Sequence, residues 1–412
     1  MLSKRRASAG LALAVISTLV VGAHGASADT VTLDKGVTVN GGGSTFISNF
    51  VDQCRADLKT ELGANVAYQG IGSGAGRSGY IAGTLDYAGS DVAFTPTEVG
   101  SLKDKKFQYV ALAAGGIAVV YKVPGVTDLK FSANTLAKIF AGTVQTWNDE
   151  AIAKDNPGVS LPKDVIRVIV RSDSSGTSNV FSDFLASAGK GAWTKGAQST
   201  FPVPAGNGIA QRGSDGVTNY VAGDQGNFAI TYAEVSFANE RKLSIAKVIN
   251  TAGNAVKPDT ASVSEGIDAA AVNDDGTLLL NFNAAAANAY PISTTSYIIA
   301  PETMDKAKGD VLRTFLTYGL GDCQKKGEKL GYAPLPAKLV KLGLAAVAKI
   351  NPGSGDVPKI GGSAAAPAPT SAPTTAAAAA AATAAPTTAP ATVTTKKAAA
   401  KKKKTTPTTK KK

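Results

Sequence analysis

Three short segments of the chain combine glycine with serine and threonine where a strand-like run leads into a helix-like run. The first turn of a helix carries unpaired backbone N–H groups and the positive end of the helix dipole, and glycine lets an anion approach that backbone closely. One such segment alone is equally well explained as a helix cap, but three together predict a single anion held from several sides. The segments are Gly41-Gly42-Gly43-Ser44-Thr45-Phe46, Gly70-Ile71-Gly72-Ser73-Gly74-Ala75-Gly76 and Arg171-Ser172-Asp173-Ser174-Ser175-Gly176-Thr177.

Two aspartates sharpen this prediction. Asp173 lies two residues after Arg171, and we interpret it as the partner that orients the guanidinium, with a turn-forming role as the alternative. Asp91 follows a strand-like run, where its ordinary role is that of a cap or loop residue. A carboxylate repels a dehydrated oxyanion unless one of them carries a proton, which hydrogen phosphate does near neutral pH and sulfate does not. Asp91 is therefore a candidate acceptor for the phosphate proton that leaves sulfate with an unpaired polar contact, at a cost of about 1–3 kcal/mol.

Composition and motifs argue against several other chemistries. His24 is the only histidine and falls in the N-terminal segment described below, so histidine catalysis and histidine metal sites are not expected in the mature chain. Two cysteines are too few for a zinc cage. The chain contains neither a nucleotide-binding P-loop pattern nor the G-x-S-x-G pattern of serine hydrolases. Gly70-x-Gly72-x-x-Ala75 with Asp91 downstream satisfies a loose dinucleotide fingerprint, which is a weak signal, and an exported chain has no obvious supply of such a cofactor.

The net charge of +12 belongs to the two ends of the 412-residue chain. Residues 1–28 hold three basic residues, residues 361–412 hold nine lysines, neither segment has an acidic residue, and the remainder is balanced. A body that grips nucleic acid is therefore not expected. Residues 1–28 combine a basic start, a short apolar run and the small-residue pattern Ala26-Ser27-Ala28, which predict a secretory signal and a mature start near Asp29. An uncleaved anchor is the alternative, and we expect an exported protein of the periplasm, cell envelope or extracellular space.

Residues 361–412 are built from Ala, Pro, Thr and Lys without an aromatic residue. This composition predicts a disordered basic tail because it offers too little apolar surface for a core. The lysine clusters favour either adhesion to a polyanion, such as an anionic cell-wall polymer, or a solubilising role without a target.

Between these ends, strand-like and helix-like runs alternate, which predicts α/β layers with mainly parallel sheets that position the three segments. The predicted strands are residues 37–39, 66–69, 116–122, 166–171 and 296–300. The predicted helices are residues 46–62 and 77–85, with two more around 180–185 and 311–316.

Cys54 and Cys323 are the only cysteines, and export permits a disulfide between them. The alternative is a free thiol, because Ile47, Val51 and Leu58 share one helical face with Cys54, where cysteine serves as a small buried hydrophobe. We favour the bridge, and both interpretations stay open.

Taken together, the motifs resemble the extracytoplasmic phosphate-binding proteins of high-affinity phosphate ABC transporters. The resemblance covers roughly residues 37–349 and extends beyond the three segments. The further motifs are Gly89-Ser90-Asp91, Thr146-Trp147-Asn148-Asp149, Pro291-Ile292-Ser293-Thr294-Thr295 and Tyr332-Ala333-Pro334-Leu335-Pro336.

The resemblance implies a set of phosphate contacts, two supporting residues, and no catalytic residue, metal or cofactor. The implied contacts are Thr45, Phe46, Ser73, Asp91 (as acceptor of the phosphate proton), Arg171, Ser175, Gly176 and Thr177. Ser44 and Asp173 are the implied supporting residues.

The resemblance also implies the two-lobed periplasmic binding protein fold, with two mainly parallel-sheet lobes joined by two crossover strands. One lobe comprises residues 29–115 and 294–360, the other comprises residues 116–293, and ligand favours the closed form because only closure lets both lobes contact it. Both cysteines then fall in the first lobe, which strengthens the disulfide prediction. The implied function is that of a monomeric, non-enzymatic protein that binds inorganic phosphate and delivers it to the permease and ATPase subunits of a transporter.

Two other functions stay open at this point. One is a secreted phosphatase on the same scaffold, which phosphate release from an ester, with and without added divalent metal, would reveal. The other is a wall-associated adhesion protein that acts through its basic tail, and deletion of residues 361–412 would test it.

Overall fold

The strands and helices below come from a computed structural model that describes residues 30–360. The predicted signal segment and the basic tail lie outside the described residues. The strands are β1 Thr38–Gly43, β2 Asn65–Gly70, β3 Tyr87–Ser90, β4 Phe107–Lys122, β5 Lys130–Ser132, β6 Arg167–Arg171, β7 Gly208–Gln211, β8 Ala229–Glu234, β9 Ser244–Ile245, β10 Lys247–Ile249, β11 Ala255–Val256, β12 Ala271–Val272, β13 Leu278–Leu279 and β14 Ser293–Pro301. The helices are α1 Ser48–Leu62, α2 Ser73–Ala82, α3 Pro96–Ser101, α4 Ala133–Ala141, α5 Glu150–Asp155, α6 Gly176–Ala188, α7 Gly213–Ala222, α8 Val235–Glu240, α9 Thr260–Asp268, α10 Lys306–Leu320, α11 Gln324–Leu330 and α12 Ala337–Val347, with a 3-10 turn at Asp224–Gly226.

The main sheet has nine strands in the order β2-β1-β3-β14-β4-β8-β6-β7, with β9 beside β4. At one end β2, β1 and β3 are parallel, and at the other β8, β6 and β7 are parallel. Between them, β14 and β4 pair antiparallel with each other and with their outer neighbours. The prediction of parallel sheets therefore holds for the two ends. The antiparallel centre was not predicted, because an apolar run reads the same in either strand direction.

Strand β4 joins the two ends of the sheet. Its residues 107–116 pair with β14, and its residues 117–122 pair with β8, so the partner changes between Gly116 and Ile117. The fold is thus an α/β fold of two lobes in which a long strand passes from one lobe to the other. The lobe boundaries at 115/116 and 293/294 stay a prediction that this change of partner supports.

The strand and helix boundaries around the first two glycine-rich segments differ from those that the sequence predicted. Strand β1 continues through Gly43, whose φ is +143° and where a side chain would overlap the backbone of Gly89. Helix α1 begins at Ser48 instead of Phe46, and α2 begins at Ser73 instead of Arg77. Glycine is a poor helix former, and the glycines at the start of α2 therefore hid its first turn from the sequence pattern.

Apolar side chains from both lobes pack into one large core, and a smaller cluster lies between β4, β8 and helices α7 and α8. Cys54 on α1 and Cys323 just before α11 form a disulfide with a Cα–Cα distance of 5.8 Å. The bridge joins the start of α11 to α1, and both helices fall in the predicted lobe of residues 29–115 and 294–360. In residues 30–360, no helix combines the length and the hydropathy that a membrane crossing requires.

Candidate functional site

The first two glycine-rich segments and Asp91 meet at one edge of the sheet. Strand β1 lies between β2 and β3, with Gly43 in register with both Gly70 and Gly89. Ser44, Thr45 and Phe46 follow β1, Ser73 opens α2, and Asp91 follows β3. The carboxyl ends of parallel strands lie at the same sheet edge, which is where α/β proteins place their ligands.

The third segment, which belongs to the other predicted lobe, faces this edge. Arg171 ends β6, and Ser175 caps α6 by accepting a hydrogen bond from the backbone N–H of Ser178 at 3.1 Å. The backbone N–H of Gly74 donates to the carbonyl of Ser174 at 3.0 Å. A Cβ atom at position 176 would lie 2.7 Å from Ser73 Oγ and 2.7 Å from Asp91 Cβ. The structure therefore brings all three segments together.

Asp91 is more buried than Asp173, the other carboxylate of the site, with 3% of its surface exposed. Three hydroxyl groups donate to it: Ser44 and Ser296 (2.8 Å) to Oδ1, and Thr177 (3.1 Å) to Oδ2. Its backbone N–H also points at Ser73 Oγ, 3.4 Å away. Burial raises the pKa of Asp91 above its usual value, and the hydrogen bonds from these hydroxyl groups, with the positive charge of Arg171, oppose the rise.

Arg171 and Asp173 form a buried ion pair. The guanidinium, 1% exposed, donates from Nε to Asp173 Oδ1 at 2.7 Å and from Nη2 to Oδ2. Burial raises the pKa of Asp173, but the hydrogen bonds and the charge of Arg171 outweigh that effect and lower the pKa below its usual value. Asp173 therefore orients the guanidinium, as the sequence suggested. The pairing uses two of the five N–H donors of Arg171, so that donors remain for an anion.

The start of α6 supplies further donors. Among the described residues, the backbone N–H groups of Gly176 and Thr177 have no hydrogen-bond acceptor. The Ser175 N–H is already used by the carbonyl of Ser199 at 2.8 Å, and its hydroxyl oxygen serves as the helix cap, so Ser175 has only its hydroxyl hydrogen left to donate. On the opposite side, the Phe46 N–H points at Ser44 Oγ, 3.1 Å away.

Sequence reasoning missed a fourth contributor, Ser214 in the first turn of α7. Ser214 is fully buried, and its Oγ lies 2.8 Å from Thr45 Oγ1 and 3.4 Å from Arg171 Nη1. Its backbone N–H donates to Thr45 Oγ1 at 3.1 Å, and the N–H of Gly213 donates to Asp173 Oδ1 at 2.9 Å. The segment Arg212-Gly213-Ser214 joins a strand to a helix as the other three segments do, and that composition was a usable signal.

Ser296 on β14 and Tyr68 on β2 were also missed as site residues, although Tyr68 stands two positions before the second glycine-rich segment and Ser296 directly follows the motif Pro291-Ile292-Ser293-Thr294-Thr295. Tyr68 donates from its hydroxyl to the carbonyl of Ser44 at 2.8 Å, and this bond holds the backbone of the segment Gly41–Phe46 in place. Ser296 reaches Asp91 only through strand pairing, which the sequence does not reveal.

A cavity of about 1080 Å³ lies apart from this site. Its lining comes mainly from α4, α5 and the loops near residues 250 and 283, and it contains none of the predicted site residues. Lysines and carboxylates are mixed along its wall. The predicted site residues are instead almost completely enclosed, as expected for a cleft whose two sides are in contact.

The site combines a neutralised ion pair with one further carboxylate and several hydrogen-bond donors. Arg171 and Asp173 neutralise each other, and Asp91 contributes a further negative charge when ionised. An added anion is stabilised by N–H and hydroxyl donors and by the start of α6, but it must present a proton to Asp91. The site is therefore suited to a small tetrahedral oxyanion that still carries a proton.

Two α/β lobes joined by a long shared strand are the architecture of the periplasmic binding proteins. In agreement, residues 23–322 match the family model described as a PBP superfamily domain.

The comparisons also identify the family more closely. The chain is 33% identical over 315 residues to the phosphate-binding protein PstS of Xylella fastidiosa, covering 74% of this chain and 84% of the relative. It is 32% identical over 357 residues to the phosphate-binding protein PstS 2 of Mycobacterium tuberculosis, covering 80% and 95%. The subatomic-resolution structure of a high-affinity periplasmic phosphate-binding protein, PfluDING, with bound phosphate superimposes with a TM-score of 0.62 at 25% identity, covering 74% of this chain and 92% of that one. This chain belongs to the PstS family of phosphate-binding proteins.

Proposed function

We propose that this protein binds inorganic phosphate outside the cytoplasmic membrane and delivers it to an ABC transporter for import. The observation that carries the proposal is that the cleft buries two complementary side chains. Arg171 keeps hydrogen-bond donors that Asp173 does not use, and Asp91 keeps an acceptor position that the surrounding hydroxyl groups do not use. The names of the relatives support the same function. They do not favour a phosphatase or an adhesion protein.

Each predicted contact has a role in this proposal. Arg171 donates charged hydrogen bonds to the phosphate, and the N–H groups of Gly176 and Thr177 donate from the start of α6. Phe46 shares its backbone N–H between Ser44 Oγ and the phosphate. Thr45, Ser73 and Ser175 contribute hydroxyl groups. Ser44 and Asp173 hold Asp91 and Arg171 in place.

Asp91 provides the selectivity. Hydrogen phosphate donates its proton to the carboxylate, whereas sulfate has no proton and would place an acceptor against an acceptor. Because the site is enclosed, water cannot relieve this contact, and the expected penalty is about 1–3 kcal/mol or more. Net charge therefore contributes less to selection than the single acceptor of Asp91.

Export, partners and assembly complete the proposal. Residues 1–28 direct the chain out of the cytoplasm, and the mature protein acts as a monomer that docks on permease and ATPase subunits. It needs no metal or cofactor and performs no catalysis. The basic tail contacts an anionic cell-wall polymer, and no nucleic acid is involved.

Calorimetric titration of the mature protein with phosphate, sulfate and molybdate at neutral pH tests the proposal. We expect tight binding of phosphate and no heat from sulfate. Equal binding of phosphate and sulfate would refute the role given to Asp91, and no binding of any of the three would refute the function. Release of phosphate from an ester would support the phosphatase instead.

A further inference from the structure

Ser296 lies directly across the sheet from Asp91. In the antiparallel pair of β14 and β3, Tyr297 is in register with Ser90, so the next position on each strand brings Ser296 opposite Asp91. Residues directly opposite each other in such a pair project from the same face of the sheet. The pairing of β14 with β4 also shifts between Ser296 and Tyr297, from Ala113 to Ala111. Such irregularities re-aim side chains next to binding sites.

The hydrogen bonds of Asp91 divide unequally between its two oxygens. A carboxylate accepts about four hydrogen bonds, two at each oxygen. Oδ1 accepts from Ser44 and from Ser296, at 2.8 Å for the latter, and is therefore saturated. Within residues 30–360, Oδ2 accepts only from Thr177, at 3.1 Å, which leaves one of its two acceptor positions without a donor.

We propose that Ser296 is a positioning residue for anion selection: it saturates Oδ1 and thereby leaves Oδ2 as the single acceptor for the proton of the bound oxyanion. This inference rests on the proposed function, in which phosphate lies beside Asp91. Ser296 belongs to the strand that crosses between the predicted lobes. The Asp91 carboxylate is therefore oriented by the crossover strand as well as by the hydroxyl groups that line the cleft.

The other ionisable groups around Asp91 do not determine which of its oxygens stays open as an acceptor. Arg171 faces it from β6 but is held by Asp173. Tyr68 on β2 and Tyr297 on β14 stay neutral, because burial raises the pKa of each hydroxyl above its usual value. On α2, Arg77 is paired with Glu98 at 3.0 Å and donates to Ser90 instead of Asp91. The hydroxyl donors are therefore what sets the number of open acceptor positions.

The test compares S296A with the matched variant S293A. Ser293 lies on the same strand, is equally buried, and donates to the carbonyl of Tyr290 at 2.7 Å without contacting Asp91. Phosphate and sulfate are titrated calorimetrically into wild-type protein and both variants from pH 5.5 to pH 8. Loss of the Ser296 donor raises the pKa of Asp91, so a protonated carboxyl able to donate to sulfate persists to higher pH.

For S296A we expect phosphate affinity to fall roughly 3- to 10-fold, the worth of one hydrogen bond. We also expect the sulfate binding seen at low pH to persist to a higher pH than in wild type. S293A should follow wild type in both respects. S44A removes the other Oδ1 donor and should shift sulfate binding in the same direction, which keeps the test valid if S296A is unstable.

A pH profile of S296A that coincides with that of S293A would overturn the inference, and so would an S44A variant that behaves as wild type does. These outcomes leave the proposed function intact, since wild-type protein would still bind phosphate selectively. Wild-type protein that binds no phosphate would overturn the proposed function, and this inference with it.

Discussion

Thr45 Oγ1 lies 2.8 Å from Ser214 Oγ, although 169 positions separate the two residues in the chain. Thr45 follows strand β1 in one predicted lobe, and Ser214 lies in the first turn of helix α7 in the other. The mutual bond uses one of their two hydroxyl hydrogens, and the Ser214 N–H occupies Thr45 Oγ1. The pair therefore keeps one hydroxyl hydrogen for a ligand, and it connects the end of β1 with the first turn of α7.

A double-mutant cycle of Thr45→Val and Ser214→Ala measures what this pair contributes. Each single variant should weaken phosphate binding, and the two effects should be coupled by about 1 kcal/mol, because either change alone breaks the same bond. We expect the loss to appear mainly as faster dissociation of phosphate, measured by stopped-flow fluorescence. Strictly additive effects would mean that the pair does not stabilise the closed form.

Asp91→Asn should relax the exclusion of sulfate. Ser44 and Ser296 both donate to the Oδ1 side, so the amide oxygen should occupy that side and the NH2 group should face Thr177 and the ligand. A donor then replaces the acceptor that repels sulfate. Calorimetry should detect sulfate binding in Asp91→Asn but not in the control Asp104→Asn, which changes an exposed aspartate. A variant that still binds only phosphate would contradict the acceptor role.

Arg171→Ala should weaken phosphate binding by about 2–5 kcal/mol, the worth of one or two charge-assisted hydrogen bonds. The matched control is Arg167→Ala on the same strand, where the guanidinium donates to the carbonyls of Gln225 and Asn227, far from the site. Titration of both variants separates a ligand contact from a general effect of removing arginine from β6. Unchanged phosphate affinity in Arg171→Ala would remove it from the site.

Gly74 provides a steric test of lobe closure. A side chain at position 74 would overlap the side chain of Ser174 across the cleft, next to the backbone bond between the same residues. Gly74→Ala should therefore destabilise the closed form by about 1–3 kcal/mol and weaken phosphate binding accordingly, with little effect on thermal unfolding. Gly100→Ala on α3, where the added methyl meets no neighbour within 4 Å, is the control. Full phosphate affinity in Gly74→Ala would show that binding does not require this contact.

The features that sequence reasoning found are those encoded locally. The glycine-rich segments stand out by composition, and the partnership of Arg171 with Asp173 follows from their spacing of two residues. The contact between Ser296 and Asp91 depends instead on the register of two strands 205 positions apart, and no local pattern records a register. Ser214 lies between these cases, since its Gly-Ser composition was visible while its proximity to Thr45 was not.

The buried glutamate at the crossover has an unusual environment. Glu234 ends β8, opposite Ile117, where β4 changes partner. Its Oε2 accepts from the Ser236 backbone N–H at 2.8 Å and from the Ser236 hydroxyl, while Oε1 has no partner among the described residues. Burial raises the pKa of Glu234 to about 8, and the hydrogen bonds from Ser236 only partly oppose it.

Glu234 should make stability decrease with rising pH. Its pKa in the folded protein lies above the ordinary value of 4.5, so its neutral form is favoured by folding; the stabilisation is complete below about pH 4.5 and is lost as the pH approaches 8. We expect the free energy of unfolding in urea to fall by a few kcal/mol from pH 5 to pH 8 relative to Glu234→Gln, which stays neutral throughout. Glu61→Gln, at an exposed position at the end of α1, should keep the wild-type slope. If wild type and Glu234→Gln instead show parallel profiles over this range, Glu234 is already ionised in the folded protein and the crossover tolerates its charge.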